Sequence, residues 1–366
     1  MNFYPREMVP ILMTLYKEPD VMLITVIIPF RNASATLQNC LNTLLSQSYT
    51  SAEFILVDNN SSDNSREIAR QFLNSHPCFP MKLISEDTLG ASAARNRGAQ
   101  ESTGDWLVFT DSDCMPDSNW LKDFTGHIEG GEPTIGAIAG CIFPSATKSI
   151  IGRFLGLFTL PANTQQRILK SYTLVDGGFP TANFAIRKSL FNQIGGFDET
   201  IQIYGEDHDL CIKVYTAGQV IKAITNAIVR HIHREHVMPL IKQAYGFGTA
   251  HALLMRKLSS GCFIIQTPFG ETKHFGGHYR LWCDFNQADK KILAAILASV
   301  IWPPLLILPF SYLVYLSLHI LKLDKQRNVS GNILSAMIMT FLLILKSAAL
   351  TFGRLRGSFR HRVICL

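Results

Sequence analysis

The feature that most constrains this chain is a short apolar strand that ends at two aspartates, in residues 106–115 (Trp-Leu-Val-Phe-Thr-Asp-Ser-Asp-Cys-Met). Asp111 and Asp113 are separated by one residue, and side chains so spaced on extended backbone point the same way. Both carboxylates can therefore face one cation, and their oxygens suit Mg²⁺ or Mn²⁺ lying between carboxylates and phosphates. The alternative is a polar turn that caps the next helix, because Asp and Ser are common in turns.

Apolar runs of strand length alternate with helical patterns through the first part of the chain. The pattern predicts helices between strands at residues 23–29, 54–57, 81–84, 106–109 and 136–143. Such alternation is typical of parallel β-α-β units, and it predicts a doubly wound, mostly parallel α/β sheet of Rossmann-like type. Three successive strands then deliver polar loops to one edge of the sheet, where α/β proteins bind ligands.

Two further groups of polar residues follow. Glu206 and Asp207 open a predicted helix at 210–217, and carboxylates in that position are also explained by the helix dipole alone. His231 and His233 follow an apolar strand at 227–229 and would share one face of it. A neutral imidazole there is either a metal ligand or a hydrogen-bonded packing residue. Residues 145–180 lack a strong period, and we predict a mobile substrate loop there.

The composition changes near the C-terminus. Residues 292–320 contain no Asp, Glu, Lys or Arg, and residues 333–345 are also apolar. Runs of this length are long enough to cross a bilayer, although Pro303, Pro304 and Pro309 must kink or break the first one. We therefore predict a cell-membrane protein, multi-pass or re-entrant, whose α/β domain faces the cytoplasm. The alternative is a buried helical subdomain.

These shifts predict the organisation of the chain: an N-terminal tail (1–20), a catalytic domain (21–248), a connecting segment (249–290), membrane segments (291–352) and a basic tail (353–366). The net charge of +6 is concentrated at the last of these, at Arg354, Arg356, Arg360 and Arg362, which predicts a membrane-side or phosphate-side feature. No nucleic-acid recognition motif is present, so nucleic acid is not an expected partner. The eight cysteines form no regular framework, which favours a reduced, cytosolic setting.

An ordered set of motifs in this chain resembles that of the family 2 glycosyltransferases, which are inverting enzymes with the A-type glycosyltransferase fold. The resemblance runs from about residue 23 to about residue 248, and the motifs stand at residues 26–32, 57–63, 90–98, 111–113, 195–198 and 205–210. The C-terminal apolar pair is similar to that of membrane-bound bacterial members. The processive Gln-x-x-Arg-Trp motif is missing, which favours transfer of a single sugar.

The resemblance implies roles for particular residues. It implies a nucleotide-sugar site formed by Pro29, Asn32, Asp58, Arg95, Asp111 and Asn183. It implies a Mn²⁺ or Mg²⁺ site at Asp111 and Asp113, completed by His231 or His233, that neutralises charge on the departing diphosphate. It also implies that Asp207 is the general base, with Glu206 and Asp209 as the other candidates.

Three functions remain in competition at this point. The first is a membrane-attached glycosyltransferase that moves one sugar to a hydroxyl of a lipid-linked or membrane-proximal acceptor, with membrane lipid as a further partner. The second is a nucleotidyltransferase, but the loop after the first strand, residues 29–34, lacks the expected glycines. The third is a non-catalytic nucleotide-binding scaffold on the membrane, which would have no need of Asp111, Asp113 and Asp207 together.

Overall fold

The predicted strands form the main sheet of a computed structural model, which describes residues 22–159, 165–201, 204–233, 235–258, 261–275, 279–327, 329 and 331–366. The predicted tail of residues 1–20 lies outside this part. The sheet consists of β1 (Ile24–Phe30), β2 (Ala52–Asp58), β3 (Met81–Ser85), β4 (Trp106–Thr110), β5 (Cys114–Pro116), β6 (Ile135–Pro144), β7 (Arg167–Leu169), β8 (Asn183–Arg187) and β9 (Val220–His231). The predicted α/β sheet is confirmed, and all five predicted strands are present.

The strands follow the order β3-β2-β1-β4-β8-β6-β9-β5, and β7 pairs with β9. β1 is parallel to β2 and β4, and β6 is parallel to β9, whereas β8 lies antiparallel between β4 and β6. Successive residues of β1 are buried in different clusters, with Val26 and Ile28 on one face and Ile27 on the other. Burial on both faces explains why this strand is a continuous apolar run.

Helices cover both faces of the sheet and then continue into the C-terminal half. They are α1 (Leu37–Leu45), α2 (Ser65–Ser75), α3 (Ala91–Gln100), α4 (Trp120–Glu129), α5 (Ile150–Phe158), α6 (Lys188–Gln193), α7 (Glu206–Thr216), α8 (Val237–Lys257), α9 (Ala288–Ile301), α10 (Ile307–Gln326) and α11 (Ile333–His361). In α3 a side chain at Gly98 would meet the Ile27 side chain at 2.5 Å. The small residues of α3 therefore allow it to lie directly on the sheet.

The region predicted as a mobile loop contains regular structure. Within residues 145–180 the described part of the chain includes α5 and β7. The Ser149 hydroxyl caps α5 by accepting a hydrogen bond from the Gly152 amide at 2.9 Å. The prediction of a loop was wrong for these elements because α5 is stabilised by packing on α10 and α11, through Phe154 and Leu155, rather than by local sequence.

Three strands of a second sheet lie in the segment predicted as a connection, and its fourth strand lies in the predicted basic tail. This sheet was not predicted. It consists of β10 (Cys262–Gln266), β11 (Thr272–Phe275), β12 (Arg280–Asp284) and β13 (Ile364–Cys365), in the order β11-β10-β12-β13. The predicted boundaries at 248/249 and 352/353 fall inside α8 and α11. These two helices pack closely, since side chains at Gly248 and Gly353 would overlap backbone atoms of the opposite helix.

The predicted basic tail is in large part the end of α11. Arg354 is 1% exposed, forms an ion pair with Asp284 at 3.1 Å and lies 4.1 Å from the centre of the Trp282 ring. The prediction of a membrane-side or phosphate-side role was therefore wrong for Arg354, because its partners lie 70 residues away in the sequence. Arg356, Arg360 and Arg362 are exposed.

Two C-terminal helices are long and apolar enough to cross a membrane, Pro303–Gln326, which includes a short 3₁₀ helix at Pro303–Leu306, and Ile333–His361. Apolar side chains around the first are strongly exposed, among them Val300 (76%), Ile301 (87%) and Phe310 (68%). The second is less exposed along its length because its C-terminal half packs on α8. The predicted pair of apolar C-terminal helices is confirmed.

Candidate active site

The site begins where β1 and β2 end. Pro29 is buried in β1 opposite Val57, and Asp58 closes β2 with 2% exposure. The Asp58 Oδ1 accepts a hydrogen bond from the Ser61 amide at 3.1 Å, and Arg66 Nε lies 3.5 Å from its Oδ2. Asp58 thus shapes the loop after β2 and is placed at the edge of the sheet that was predicted for the nucleotide.

Asn32 joins the loops that follow β1 and β2. Its backbone lies in the left-handed region, with φ 50°, and its Oδ1 accepts a hydrogen bond from the Ser62 amide at 2.8 Å. Asp63 ties the same two loops together by accepting from the Ser34 and Ser65 amides, each at 3.0 Å. The two loops therefore form one rigid rim beside Asp58.

Arg95 links the first acidic motif to the second. The arginine is 4% exposed, and it donates from Nη2 to Asp111 Oδ1 at 2.8 Å and from Nη1 to Glu206 Oε1 at 3.2 Å. Its guanidinium also lies 5.4 Å from the centre of the Phe197 ring. This is a buried ion-pair network rather than a surface ion pair, because Arg95 lies between the end of strand β4 and helix α7.

Arg95 is one cation among several carboxylates, and this imbalance affects the pKa of Glu206. Burial and the neighbouring Asp207 raise the pKa of Glu206 to about 7, although Arg95 opposes them. The pKa of Arg95 is raised by Asp111, Glu206 and Asp207, which outweigh its burial. The ion pair with Glu206 raises the pKa of Arg95, but it does not bring the pKa of Glu206 below its usual value. The reason is that Arg95 is shared among several carboxylates, whereas Glu206 is buried beside the charge of Asp207.

The candidate cation site lies at the end of β9. His231 Nε2 is 3.4 Å from Asp113 Oδ1, and ligand atoms of Asp113, Cys114 and His231 lie within 4.8 Å of one another. Burial raises the pKa of the Cys114 thiol well above its usual range, so this group stays protonated and does not suit a hard cation. The donor set that fits Mg²⁺ or Mn²⁺ is therefore carboxylate and imidazole.

His233 lies next to His231, with 4.7 Å between the ring centres. Burial and the neighbouring His231 lower the pKa of His233 to about 4, against the opposite effect of Glu235. Its ring is therefore neutral at pH 7. The structure thus places His231 beside the Asp113 carboxylate and His233 against the His231 ring.

Asn183 does not offer its side chain to a ligand. The residue is 1% exposed, its Oδ1 accepts from Trp120 Nε1 at 2.8 Å, and its Nδ2 donates to the carbonyls of Cys141 and Ala227 at 2.9 Å each. Both amide protons are thus used within the sheet. The predicted contact with the sugar is corrected to a role in holding β8 to β6 and β9.

Asp207 borders a cavity of about 360 Å³. Glu206 and Asp207 are the first residues of α7, which follows Gly205 in the left-handed region at φ 98°. Asp207 Oδ1 accepts a hydrogen bond from the His208 amide at 2.8 Å. Of the predicted acidic pair, Asp207 lines the cavity whereas Glu206 faces Arg95, so the pair connects the cavity to the Asp111 side of the site.

Asp209 faces away from this site. It is 2% exposed, and its Oδ1 accepts from Lys257 Nζ at 2.7 Å while Lys213 lies at 3.4 Å from Oδ2. Asp198 also binds Lys257, at 2.6 Å. Asp209 is therefore excluded as a candidate base, since its carboxylate is committed to an ion-pair network on the other side of α7.

The sequence interpretation missed residues that lie in α8 and in the loop before β8. His251 and Phe247 of α8 line the cavity beside Asp207. Tyr172 lies 2.9 Å from His208 Nδ1 through its hydroxyl. No motif marks these residues, although the amphipathic pattern of α8 places Phe247, His251 and Leu254 at helical spacing on one face.

Residues 25–195 match the family described as glycosyl transferase family 2. Glycosyltransferase AglE of Haloferax volcanii is 29% identical over 190 residues, which cover 50% of this chain and 59% of that protein. The pre-mycofactocin glycosyltransferase of Mycobacterium tuberculosis is 30% identical over 241 residues, covering 64% of this chain and 48% of that protein. The chain thus spans about half the length of these curated relatives.

A solved structure shows the same overall fold. It is the mannosyltransferase PcManGT from Pyrobaculum calidifontis in complex with GDP-Man and Mn²⁺, and the TM-score is 0.51 at 18% identity. The superposition covers 89% of this chain and 86% of the other. It therefore extends beyond the main sheet into the C-terminal half.

Proposed function

We propose that this chain is a family 2 glycosyltransferase, the family that its residues 25–195 match, and that it transfers one sugar from a nucleotide-sugar to an acceptor hydroxyl at a membrane. The transfer would be a metal-assisted direct displacement that inverts the anomeric carbon. The observation that carries this proposal is the position of Asp207, which lines a cavity while its neighbour Glu206 is bound through Arg95 to Asp111.

The donor would lie on the Asp111 side of the site. Asp58 and the rim held by Asn32 border the place of the nucleoside, and Asp111, Asp113 and His231 are the residues that would hold a divalent cation against the diphosphate. Such a cation would neutralise charge on the departing diphosphate. Arg95 would keep Asp111 oriented, because its Nη2 bonds that carboxylate at 2.8 Å.

The acceptor would enter from the cavity. Its hydroxyl oxygen attacks the anomeric carbon, the bond from that carbon to the diphosphate breaks, and the hydroxyl proton passes to Asp207. A base must lie within reach of the proton that it removes, and Asp207 is the carboxylate of the acidic pair that borders the cavity. Glu206 supports this role because it, rather than Asp207, accepts the hydrogen bond from Arg95, which leaves the Asp207 carboxylate at the cavity.

The membrane location is supported by exposed apolar residues of α9 and α10. Val300, Ile301 and Phe310 are 76%, 87% and 68% exposed, and such contiguous apolar surface is unfavourable in water. A membrane that covers it would bring the cavity close to a lipid-linked or membrane-proximal acceptor. We propose that the catalytic domain faces the cytoplasm, where nucleotide-sugars are available.

The first test is a panel of nucleotide-sugars, with Mn²⁺ or Mg²⁺, on the full chain in detergent. We expect one donor to raise the melting temperature and chelation to abolish the rise. Asp113→Ala should lose this effect, whereas Asp207→Asn should keep it but fail to release nucleotide when membrane lipid extract is added.

Asp105→Asn is the matched control, because Asp105 is exposed and precedes β4 at the opposite end of the strand from Asp111. It should behave as the wild type. Turnover of Asp207→Asn at the wild-type rate would refute the assignment of the base. A folded protein that responds to no donor would refute the glycosyltransferase proposal and favour a scaffold.

A further inference from the structure

The cavity beside Asp207 has a polar group that the proposed reaction does not use. Its volume is about 360 Å³, within the range of about 300–1,000 Å³ that is usual for small-molecule sites. Phe179, Phe247 and Leu254 form apolar parts of the wall, and His251 adds an imidazole. The cavity thus presents an aromatic and aliphatic surface with a few polar groups.

The protonation of His251 follows from its neighbour. Arg354 Nε lies 3.2 Å from His251 Nδ1, and the Nε of an arginine always carries a hydrogen and never accepts one. His251 Nδ1 must therefore present its lone pair. Burial and Arg354 lower the pKa of His251 well below its usual range, so the ring is neutral and its one proton is on Nε2.

Arg354 is itself held firmly, which fixes the direction of the imidazole. It is 1% exposed, donates from Nη1 to Asp284 Oδ2 at 3.1 Å and lies 4.1 Å from the centre of the Trp282 ring. Within the described part of the chain no protein group bonds His251 Nε2. This N–H is therefore a preorganised donor for a ligand in the cavity.

The polar groups of the cavity limit the kind of ligand. A purely aliphatic chain would leave the His251 N–H without a partner and the Asp207 carboxylate with the His208 amide alone, which is unfavourable for buried groups. An anionic group would be repelled by Asp207, and the one arginine among the lining residues, Arg167, is already paired with Asp176 at 2.9 Å. A neutral ring with several hydroxyls satisfies both groups, and its C–H face packs against an aromatic side chain such as Phe247.

We propose that this cavity binds a sugar ring of the acceptor and that His251 donates a hydrogen bond from Nε2 to one of its hydroxyls. The inference rests on the proposed function and specifies the acceptor: a glycan or glycolipid rather than a bare lipid phosphate. It also implies that helix α11 contributes to acceptor recognition, because Arg354 of that helix donates to His251 Nδ1 and thereby leaves the imidazole proton on Nε2.

Two substitutions at one position separate binding from structure. In His251→Asn the shorter amide can still accept from Arg354 but does not reach the place of Nε2. In His251→Gln the longer amide can place an N–H there but leaves Arg354 Nε less well paired. Binding of a panel of methyl glycosides to the full chain in detergent would be measured by saturation-transfer NMR.

We expect the best glycoside to bind about five- to tenfold more weakly to His251→Asn and within about twofold of the wild type to His251→Gln. A purely structural role would give the reverse order, with His251→Gln the more impaired, and would overturn the proposal. Nitrogen-15 NMR of the wild-type histidines provides a second test, because a proton on Nδ1 rather than Nε2 of His251 would refute it without any variant.

Donor binding in the same samples keeps the two proposals apart. If a nucleotide-sugar stabilises the protein but no glycoside binds, the acceptor inference fails and the proposed function stands. If no nucleotide-sugar binds, the proposed function fails.

Discussion

Replacement of Asn183 by alanine should destabilise the fold without weakening the binding of a nucleotide-sugar. The side chain is 1% exposed and pairs with the Trp120 indole at 2.8 Å and with the carbonyls of Cys141 and Ala227 at 2.9 Å each. Its removal leaves the buried Trp120 N–H without its acceptor and takes one hydrogen bond from each of the two carbonyls. This outcome is the opposite of what the motif resemblance implied, namely a loss of donor affinity.

The magnitude follows from the three groups. The Trp120 N–H left without a partner costs about 1–3 kcal/mol and each hydrogen bond lost from a carbonyl about 0.5–1.5 kcal/mol, so the loss is at least about 2 kcal/mol, against a usual total of about 5–15 kcal/mol. With about 2–4 °C per kcal/mol for a domain of this size, the melting temperature should fall by about 4 °C or more. The donor affinity should stay within about twofold, because Asn183 points into the sheet.

The assay is thermal unfolding of the full chain in detergent, followed by titration with the donor identified in the panel. Asn226→Ala on strand β9 is the matched control: that residue is exposed, its Nδ2 donates to Asp123 at 2.8 Å and its Oδ1 lies 3.1 Å from His127 Nε2. It should change stability by less than about 1 kcal/mol. A melting temperature of Asn183→Ala within 1–2 °C of the wild type, roughly the error of such a scan, combined with weaker donor binding, would refute the reasoning.

Three further predictions concern the charges and the apolar surface. The folded state keeps the Glu206 proton up to a pKa of about 7, whereas the unfolded chain releases it near about 4.3. The stability that this proton contributes is therefore present below about pH 4.3 and is lost as the pH rises to about 7. Melting temperatures of Glu206→Gln should lack this decline, and a pH profile identical to that of the wild type would contradict the prediction. Lys257→Met should lower the free energy of unfolding by roughly 3 kcal/mol, because it leaves the buried Asp209 carboxylate with Lys213 as its one cation. Asp209→Asn should retain turnover. If Asp209→Asn lost turnover while its melting temperature stayed unchanged, Asp209 would again be a candidate base. Serine at both Val300 and Ile301 should reduce co-flotation with liposomes and leave the melting temperature nearly unchanged, because both side chains are exposed; unchanged flotation would argue against membrane contact there.

The sequence predicted those parts of the fold that are governed by local pattern. The five strands at 23–29, 54–57, 81–84, 106–109 and 136–143 are confirmed because each is an apolar run bounded by turn residues. Strand β8 was missed, since it lies antiparallel between two strands that are distant in the chain and its apolar run is short. The position of α5 was also missed, because its partners are in α11, nearly 190 residues further on.

The candidate site shows the same division. The spacing of Asp111 and Asp113 predicts two carboxylates at the end of a strand, and the structure places both there. Arg95 was predicted as a residue of the nucleotide site, but its contact with Glu206 depends on the approach of residues 111 positions apart. No local pattern encodes that distance, and the same holds for His251 and Arg354, which are 103 positions apart.

The charge balance around Arg95 explains why the carboxylates are better interpreted as a ligand site than as part of the fold. One buried cation contacts Asp111 and Glu206 and also acts on Asp207, so the group carries more negative than positive charge when all are ionised. A fold gains nothing from such a surplus, because an unbalanced buried charge is unfavourable. Burial raises the pKa of Glu206, and the nearby Asp207 charge raises it further. Arrangements that violate the local rules in this way are concentrated at functional sites. What this site lacks is positive charge, and the divalent cation that we propose at Asp111 and Asp113 would supply it.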